Sequence, residues 1–138
     1  MRSSSILLFS AVWLIGAGAL AQEETPPDCE NPTTQADMNI CAGQSAEAAD
    51  KALNLQYKKT RAAAVAFDKQ MEGSGASAVA TLTAAQKAWI PFRDATCAIQ
   101  TAISGGGSIE PTLVAGCLET ETRKRTDELK QLEQDFSR

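Results

Sequence analysis

Four cysteines limit the folds that this chain can adopt: Cys29, Cys41, Cys97 and Cys117. In a chain that is exported from the cytoplasm, an even number of cysteines indicates disulfide bonds. Four cysteines allow three pairings, and the count alone does not choose among them. A structural zinc site needs close C-x-x-C pairs, and these cysteines are widely spaced. The fold must therefore bring two pairs of distant cysteines into contact.

The first 21 residues have the pattern of a cleaved signal peptide. Arg2 supplies the positive charge, residues 6–18 are mostly apolar, and a small-x-small site ends at Ala21. The apolar run of about 13 residues is shorter than a membrane span, which needs roughly 20. Cys29 lies several residues beyond this site, which disfavours a lipoprotein signal. We therefore predict cleavage after Ala21, export to the periplasm or the extracellular space, and no membrane attachment afterwards.

Charge and composition exclude several classes of function. Without Arg2 the chain has 12 Lys+Arg against 17 Asp+Glu, a net charge of −5. This acidity disfavours nucleic acid as a partner, because phosphates are neutralised by a basic surface. The chain has no histidine, which excludes catalytic groups that depend on an imidazole and histidine-ligated zinc. We predict a protein that is not an enzyme and uses no cofactor or metal.

Helical periodicity extends over most of the chain, without strand-like alternation of useful length. Residues 22–33 are polar and rich in proline, which predicts an extended leader before a helical domain at 34–138. Helices are expected over about 34–71 and 78–103, and a third begins with Ser108 as its N-cap. Short loops join them, which predicts an all-α, antiparallel, up-down-up bundle of three helices.

The second predicted helix contains a proline and an apolar stripe. Pro91 removes one backbone hydrogen bond and clashes with an earlier carbonyl, so we predict a kink. Trp89 and Phe92 are expected in the core, because aromatic side chains on a helical stripe are usually buried. The stripe expected to face inward comprises Leu82, Ala85, Trp89, Phe92, Thr96, Ile99 and Ile103.

The loop between the second and third helices favours local disulfide pairing. Cys97 and Cys117 lie about 9–12 Å from this turn at a rise of about 1.5 Å per residue, and so at matching height. A bond between them would stabilise the fold by about 3 kcal/mol in the chain-entropy model. Cys29 would then pair with Cys41. A swapped pairing stays open, because all four cysteines are expected near one end of the bundle.

Several polar side chains lie on or beside the apolar stripes. One interpretation is a recognition or catalytic patch. The interpretation that we favour is an internal structural network in which two acids balance two arginines, because unpaired buried charges cost several kcal/mol. Its expected members are Asp50, Asn54, Gln86, Arg93, Asp94 and Arg125.

Two motifs together resemble a known family. Residues 34–41 read TQADMNIC, and residues 85–97 read AQKAWIPFRDATC. Their combination, followed by Cys117-Leu118 and by Thr122 with Arg125, resembles the N-terminal domain of the LprI lysozyme-inhibitor family over nearly the whole mature chain. The chain departs from the family in Pro91 and in the lack of a lipid-anchor signal.

The resemblance implies a small secreted or periplasmic α-helical domain with two disulfides, and inhibition of lysozyme. It implies no catalytic residues. The leading hypothesis is therefore an inhibitor of lysozyme-type muramidases, because an acidic protein would be attracted to a basic lysozyme. Its expected contact surface is the turn formed by Gly105, Gly106, Gly107 and Ser108.

Two other hypotheses stay open. One is a structural or envelope-stress accessory domain without an enzyme target. The other is a hydrolase that uses carboxylates alone, with Glu119 and Glu121 as the candidate acid and base. These two glutamates lie in a charge-rich run, which is typical of a solvated face.

Overall fold

The computed structural model describes residues 26–71 and 75–138. Over these residues it consists of three helices without a strand: α1 is Gln35–Gln70, α2 is Ala78–Ser104 and α3 is Glu110–Phe136. The predicted all-α bundle with two disulfides is confirmed. The predicted signal peptide, 1–21, lies outside the described residues, and the boundaries of the leader and the domain stay predictions.

The cysteines form the two pairs that their spacing in the sequence favours. Cys29 bonds to Cys41, with 5.4 Å between their Cα atoms, and Cys97 bonds to Cys117, with 5.5 Å. The first bond ties the segment before α1 to the second turn of that helix. The second bond joins α2 to α3, and Cys97 is almost fully buried. This second bond therefore belongs to the core of the bundle.

Helices α1 and α3 form the most extensive contact in the bundle. Apart from Leu53 and Leu129, their buried residues are small or polar, which allows the two backbones to approach closely. Thr60 of α1 is fully buried, and its Oγ1 lies 2.9 Å from the carbonyl oxygen of Leu129 in α3. The other buried residues on these two helices are Ala49, Leu53, Gln56, Ala64, Ala115, Thr122 and Thr126.

The side of α2 that faces the other helices differs from the predicted one. Leu82 is buried and Trp89 packs partly buried against the core, but the side chain of Phe92 is 62% exposed. The expectation that Phe92 lies in the core is therefore wrong, and Ala85, Ile99 and Ile103 of the predicted stripe are exposed as well. The side of α2 that faces the other helices carries Gln86 and Cys97 instead. Periodicity identified a stripe, and the disulfide and polar contacts turn a different side of α2 inward.

Two further expectations concern the helix boundaries and Pro91. Ser108 is not the N-cap of α3. Ile109 occupies that position without a side-chain hydrogen bond, and Pro111 lies in the first turn, where a backbone N–H is not needed. Helix α2 continues through Pro91, and the kink stays a prediction.

The end of α1 is joined to the start of α2 by one carboxylate. Asp68 accepts hydrogen bonds from Ser77 Oγ at 2.7 Å and from the backbone N–H groups of Ala78 at 2.7 Å and Val79 at 3.2 Å. The two backbone N–H groups lie at the N-terminus of α2, where such donors have no partner within the helix. The bond from Ser77, followed by the backbone bonds, lowers the pKa of Asp68 from its ordinary value near 3.8.

Replacement of Asp68 by asparagine should lower the thermal stability in a pH-dependent way. The pKa of Asp68 is lower in the folded protein than in the unfolded chain. Its carboxylate therefore adds stability above the unfolded pKa, and this stability is lost as the pH falls through the folded pKa. Melting followed by circular dichroism should give a lower Tm for Asp68→Asn than for the wild type at neutral pH. The difference should shrink toward pH 2.

The control is Asp127→Asn, which removes an exposed carboxylate paired with Lys130. Exposed pairs contribute little, so its Tm should stay close to that of the wild type. This account would be contradicted if the Tm of Asp68→Asn lay below that of the wild type by the same amount at neutral and at acidic pH.

Candidate functional site

The turn between α2 and α3 is exposed at one end of the bundle. Gly105 and Gly106 have φ angles of +62° and +79°, in the left-handed region that only glycine adopts readily. Gly107 and Ser108 complete the turn and are also exposed. The four residues predicted to contact a partner are thus brought together in one continuous surface turn.

Backbone and side-chain hydrogen bonds hold this turn against α2 and α3. The backbone N–H of Gly107 donates to the carbonyl of Ser104, and that of Glu110 donates to the carbonyl of Gly107 at 2.9 Å. The carboxylate of Glu110 accepts from the hydroxyl groups of Thr101 and Ser104, each at 3.2 Å. Glu110 therefore connects the last turn of α2 to the first turn of α3.

The first helix holds the same turn from the other side. Asn39 Nδ2 donates to the carbonyl oxygen of Ser108 at 3.1 Å, and its Oδ1 accepts from Thr112 Oγ1 at 2.6 Å. Gln35 Nε2 donates to both side chains, at 2.9 Å to Asn39 Oδ1 and 3.1 Å to Thr112 Oγ1. Sequence reasoning missed these positioning residues. The available signal was their place, four apart, in the TQADMNIC motif.

The chain that leads into and through the turn is uncharged and carries two exposed isoleucines, and the nearest charge after it, Glu110, is hydrogen-bonded to Thr101 and Ser104. Ile103, before the turn, is 68% exposed, and Ile109, after it, is 46% exposed. The sequence has no charged residue from Ala95 to Ile109. A partner can bury such a surface without removing a charge from water, which would be costly.

Arg93 ties α2 to both other helices. Its side chain is only 15% exposed, and Nη1 lies 3.1 Å from Asp50 Oδ1 on α1 and 3.2 Å from Thr122 Oγ1 on α3. Its Nη2 pairs with Asp94 at 2.8 Å. The guanidinium also lies 5.1 Å from the centroid of the Trp89 ring, within range of a cation–π contact. The guanidinium is therefore in contact with protein through its N–H groups and on the face next to Trp89.

Arg125 belongs to a separate cluster. Its Nε donates to Gln86 Oε1 at 3.1 Å, and its Nη1 pairs with Glu128 at 2.7 Å. Asn54, in contrast, donates to Asp50 at 3.0 Å and so belongs with Arg93. The single shared network expected from the sequence is thus corrected to two clusters. Arg125 is balanced by a glutamate one turn away on its own helix, which the sequence analysis did not include.

The described residues, 26–71 and 75–138, contain no group of three or more His, Cys, Asp or Glu side chains that could hold a metal ion. Over the same ranges, no helix has both the length and the apolar character needed to cross a membrane.

The fold and the turn together define a small helical domain that two disulfides stabilise and that presents an exposed glycine turn. A family model described as "Lysozyme inhibitor LprI" matches residues 29–129, and the chain belongs to this family. It is 45% identical over 113 residues to an uncharacterized protein of Rhizobium meliloti (strain 1021), which is 80% of this chain and 81% of that protein. No solved structure matches the chain.

Replacement of Arg93 by alanine should destabilise the bundle. The change leaves the buried hydroxyl of Thr122 without this partner and removes the cation next to Asp50 and Asp94. Hydrogen bonds to charged groups contribute about 1.5–3 kcal/mol, so we expect the free energy of unfolding to fall by about 2 kcal/mol. Urea denaturation followed by circular dichroism measures this change.

The matched control is Arg123→Ala, which removes an arginine whose side chain is 63% exposed and pairs with Glu119 within α3. Such pairs contribute about 0.5 kcal/mol or less. Equal urea midpoints for the two variants would show that Arg93 does not tie the helices together.

Proposed function

We propose that this protein binds and inhibits lysozyme-type muramidases, and that residues 105–108 contact the enzyme. The observation that carries the proposal is membership of the lysozyme-inhibitor family over residues 29–129, a range that includes both disulfides and the whole turn. Inhibition by this particular chain, its target and its contact surface are the proposed part.

The geometry of the turn supports a role in recognition. It is exposed, yet hydrogen bonds to Asn39, Glu110 and Ser104 restrict its backbone. A segment that is ordered before binding loses little conformational entropy when a partner is bound. The two left-handed glycines also leave the apex without side chains, so the turn is narrow enough to enter a concave surface.

Charge supports the same target class. Many lysozymes are strongly basic, and the net charge of −5 without Arg2 would attract them over a distance. The turn itself is neutral, so this attraction acts on encounter and the contact does not require charge pairing. Association should therefore slow as the salt concentration rises.

The proposal includes export. Both disulfides are formed in the structure, and such bonds persist in oxidising compartments such as the periplasm or the extracellular space. Cleavage after Ala21 would release the chain into such a compartment, where a muramidase that attacks peptidoglycan would be met.

A lysis assay tests the proposal. The exported protein, in micromolar excess, should slow the clearing of a bacterial suspension by a basic lysozyme, and alone it should cause no clearing. Gly107→Arg adds a long cation to the turn at a position where φ is not left-handed and an added Cβ meets only ordinary contact distance, 3.4 Å from Ser104 O. We expect at least a tenfold loss of inhibition, because the cation both blocks contact and repels a basic enzyme.

The control variant is Gln70→Arg, which makes the same change in charge at an exposed position at the other end of the bundle. It should inhibit nearly as well as the wild type. Failure of the wild-type protein to inhibit would contradict the proposed function and favour the accessory-domain alternative. Equal inhibition by both arginine variants would contradict only the placement of the contact surface.

A further inference from the structure

One side of α2 forms a continuous apolar stripe that the other helices leave exposed. It extends over about 33 Å, at a rise of about 1.5 Å per residue. Three bulky side chains dominate it: Phe92 is 62% exposed, Ile99 57% and Ile103 68%. The remaining exposed members of this stripe are small: Thr81, Ala85, Ala88, Ala95 and Ala102.

The spacing of this stripe is that of a helix-pairing surface. From Ala85 to Ala102 its members follow at alternating steps of three and four residues, as in the seam of a coiled coil. None of them is charged. Two copies of an acidic protein can therefore meet along this side without placing like charges opposite each other.

An antiparallel arrangement of two such stripes is self-complementary. With a two-fold axis midway between positions 92 and 95, Phe92 lies opposite Ala95 of the second copy, and Ala88 lies opposite Ile99. Each bulky side chain then meets an alanine, which is the pattern that lets facing side chains interdigitate. A parallel arrangement in register would place Phe92 on Phe92, with the bulky side chains in conflict.

A groove lies where the C-terminal end of α2 from the second copy would fall. It has a volume of about 300 Å³ and lies between the first turns of α2 and the last turns of α3, with Thr81, Ala85, Leu132 and Phe136 among its lining residues. In the antiparallel arrangement Ile103 of the second copy falls opposite position 84, at the edge of this groove. A cavity of about 150 Å³ holds benzene, so the groove has room for an aliphatic side chain.

We propose that the protein forms a two-fold symmetric dimer in which the α2 stripes of two copies pack antiparallel. Two-fold contacts of this kind use the same patch on both copies. A stripe about 33 Å long and about 10 Å wide is smaller than the roughly 800 Å² per partner that stable interfaces bury. The dimer is therefore weak and reversible. This proposal does not depend on inhibition of lysozyme.

Sedimentation velocity of the exported protein, without any lysozyme, tests the dimer. The wild type should shift from monomer to dimer as its concentration rises through the micromolar range. Phe92→Glu should remain a monomer at every concentration. The matched control is Leu55→Glu on α1, because Leu55 is also 62% exposed but lies outside the stripe. It should dimerise like the wild type.

A monomeric wild type at all concentrations would overturn the proposal, as would equal dimerisation of the Phe92→Glu and Leu55→Glu variants. Circular dichroism establishes that Phe92→Glu is folded. If it is not, Ile99→Glu replaces it and should likewise remain monomeric.

Cross-linking tests the antiparallel direction. Positions 88 and 99 lie about 16 Å apart on one helix, too far for a disulfide within a single chain. Under oxidising conditions the double variant Ala88→Cys/Ile99→Cys should give a covalent dimer, whereas Ala88→Cys alone should not. Cross-linking of the single variant as readily as the double variant would overturn the antiparallel dimer, because it would place position 88 opposite itself.

Discussion

The second half of α2 is held to the rest of the bundle by a disulfide and an arginine, whereas its first half packs Leu82 and Trp89 against the core. Cys97 bonds to Cys117 on α3, and Arg93 contacts Asp50 on α1 and Thr122 on α3. Apolar burial normally turns the most hydrophobic side of a helix inward. Here the covalent bond and the guanidinium turn a partly polar side inward, and Phe92, Ile99 and Ile103 are left on the surface. The recognition surfaces that we propose follow from this one constraint.

The same constraint fixes the turn. Because Cys97 and Cys117 are joined, the last turn of α2 and the first turn of α3 lie side by side, and the carboxylate of Glu110 can accept hydrogen bonds from both Thr101 and Ser104. Helix α1 completes the support through Asn39. Gln35 and Asn39 of the TQADMNIC motif thus help to position a surface turn elsewhere in the chain. The Cys97–Cys117 bond stabilises the contact between α2 and α3, and the polar side chains determine the shape of the turn.

The sequence predicts the architecture well because it depends on local signals. Helical periodicity, the proline and glycine positions and the cysteine spacing predict three helices and the confirmed disulfide pairing. It fails for the orientation of α2, because periodicity identifies an apolar side without saying what that side faces. Periodicity therefore predicts that Phe92 lies in the core, whereas Phe92 is exposed. The contact of Asn39 with Ser108 joins residues 69 apart in the sequence, and such a pairing has no local signal.

Hydrogen exchange measured by mass spectrometry tests most directly whether the Cys97–Cys117 bond holds α2 in place. The comparison is between the wild type and the Cys97→Ala/Cys117→Ala variant under native conditions. If the account is right, amides in the second half of α2 and in the turn at 105–108 exchange faster in the variant. The amides of α1 and of the second half of α3 stay protected, because their close contact does not involve this bond. Unchanged exchange in α2, or an equal loss of protection in all three helices, would contradict it.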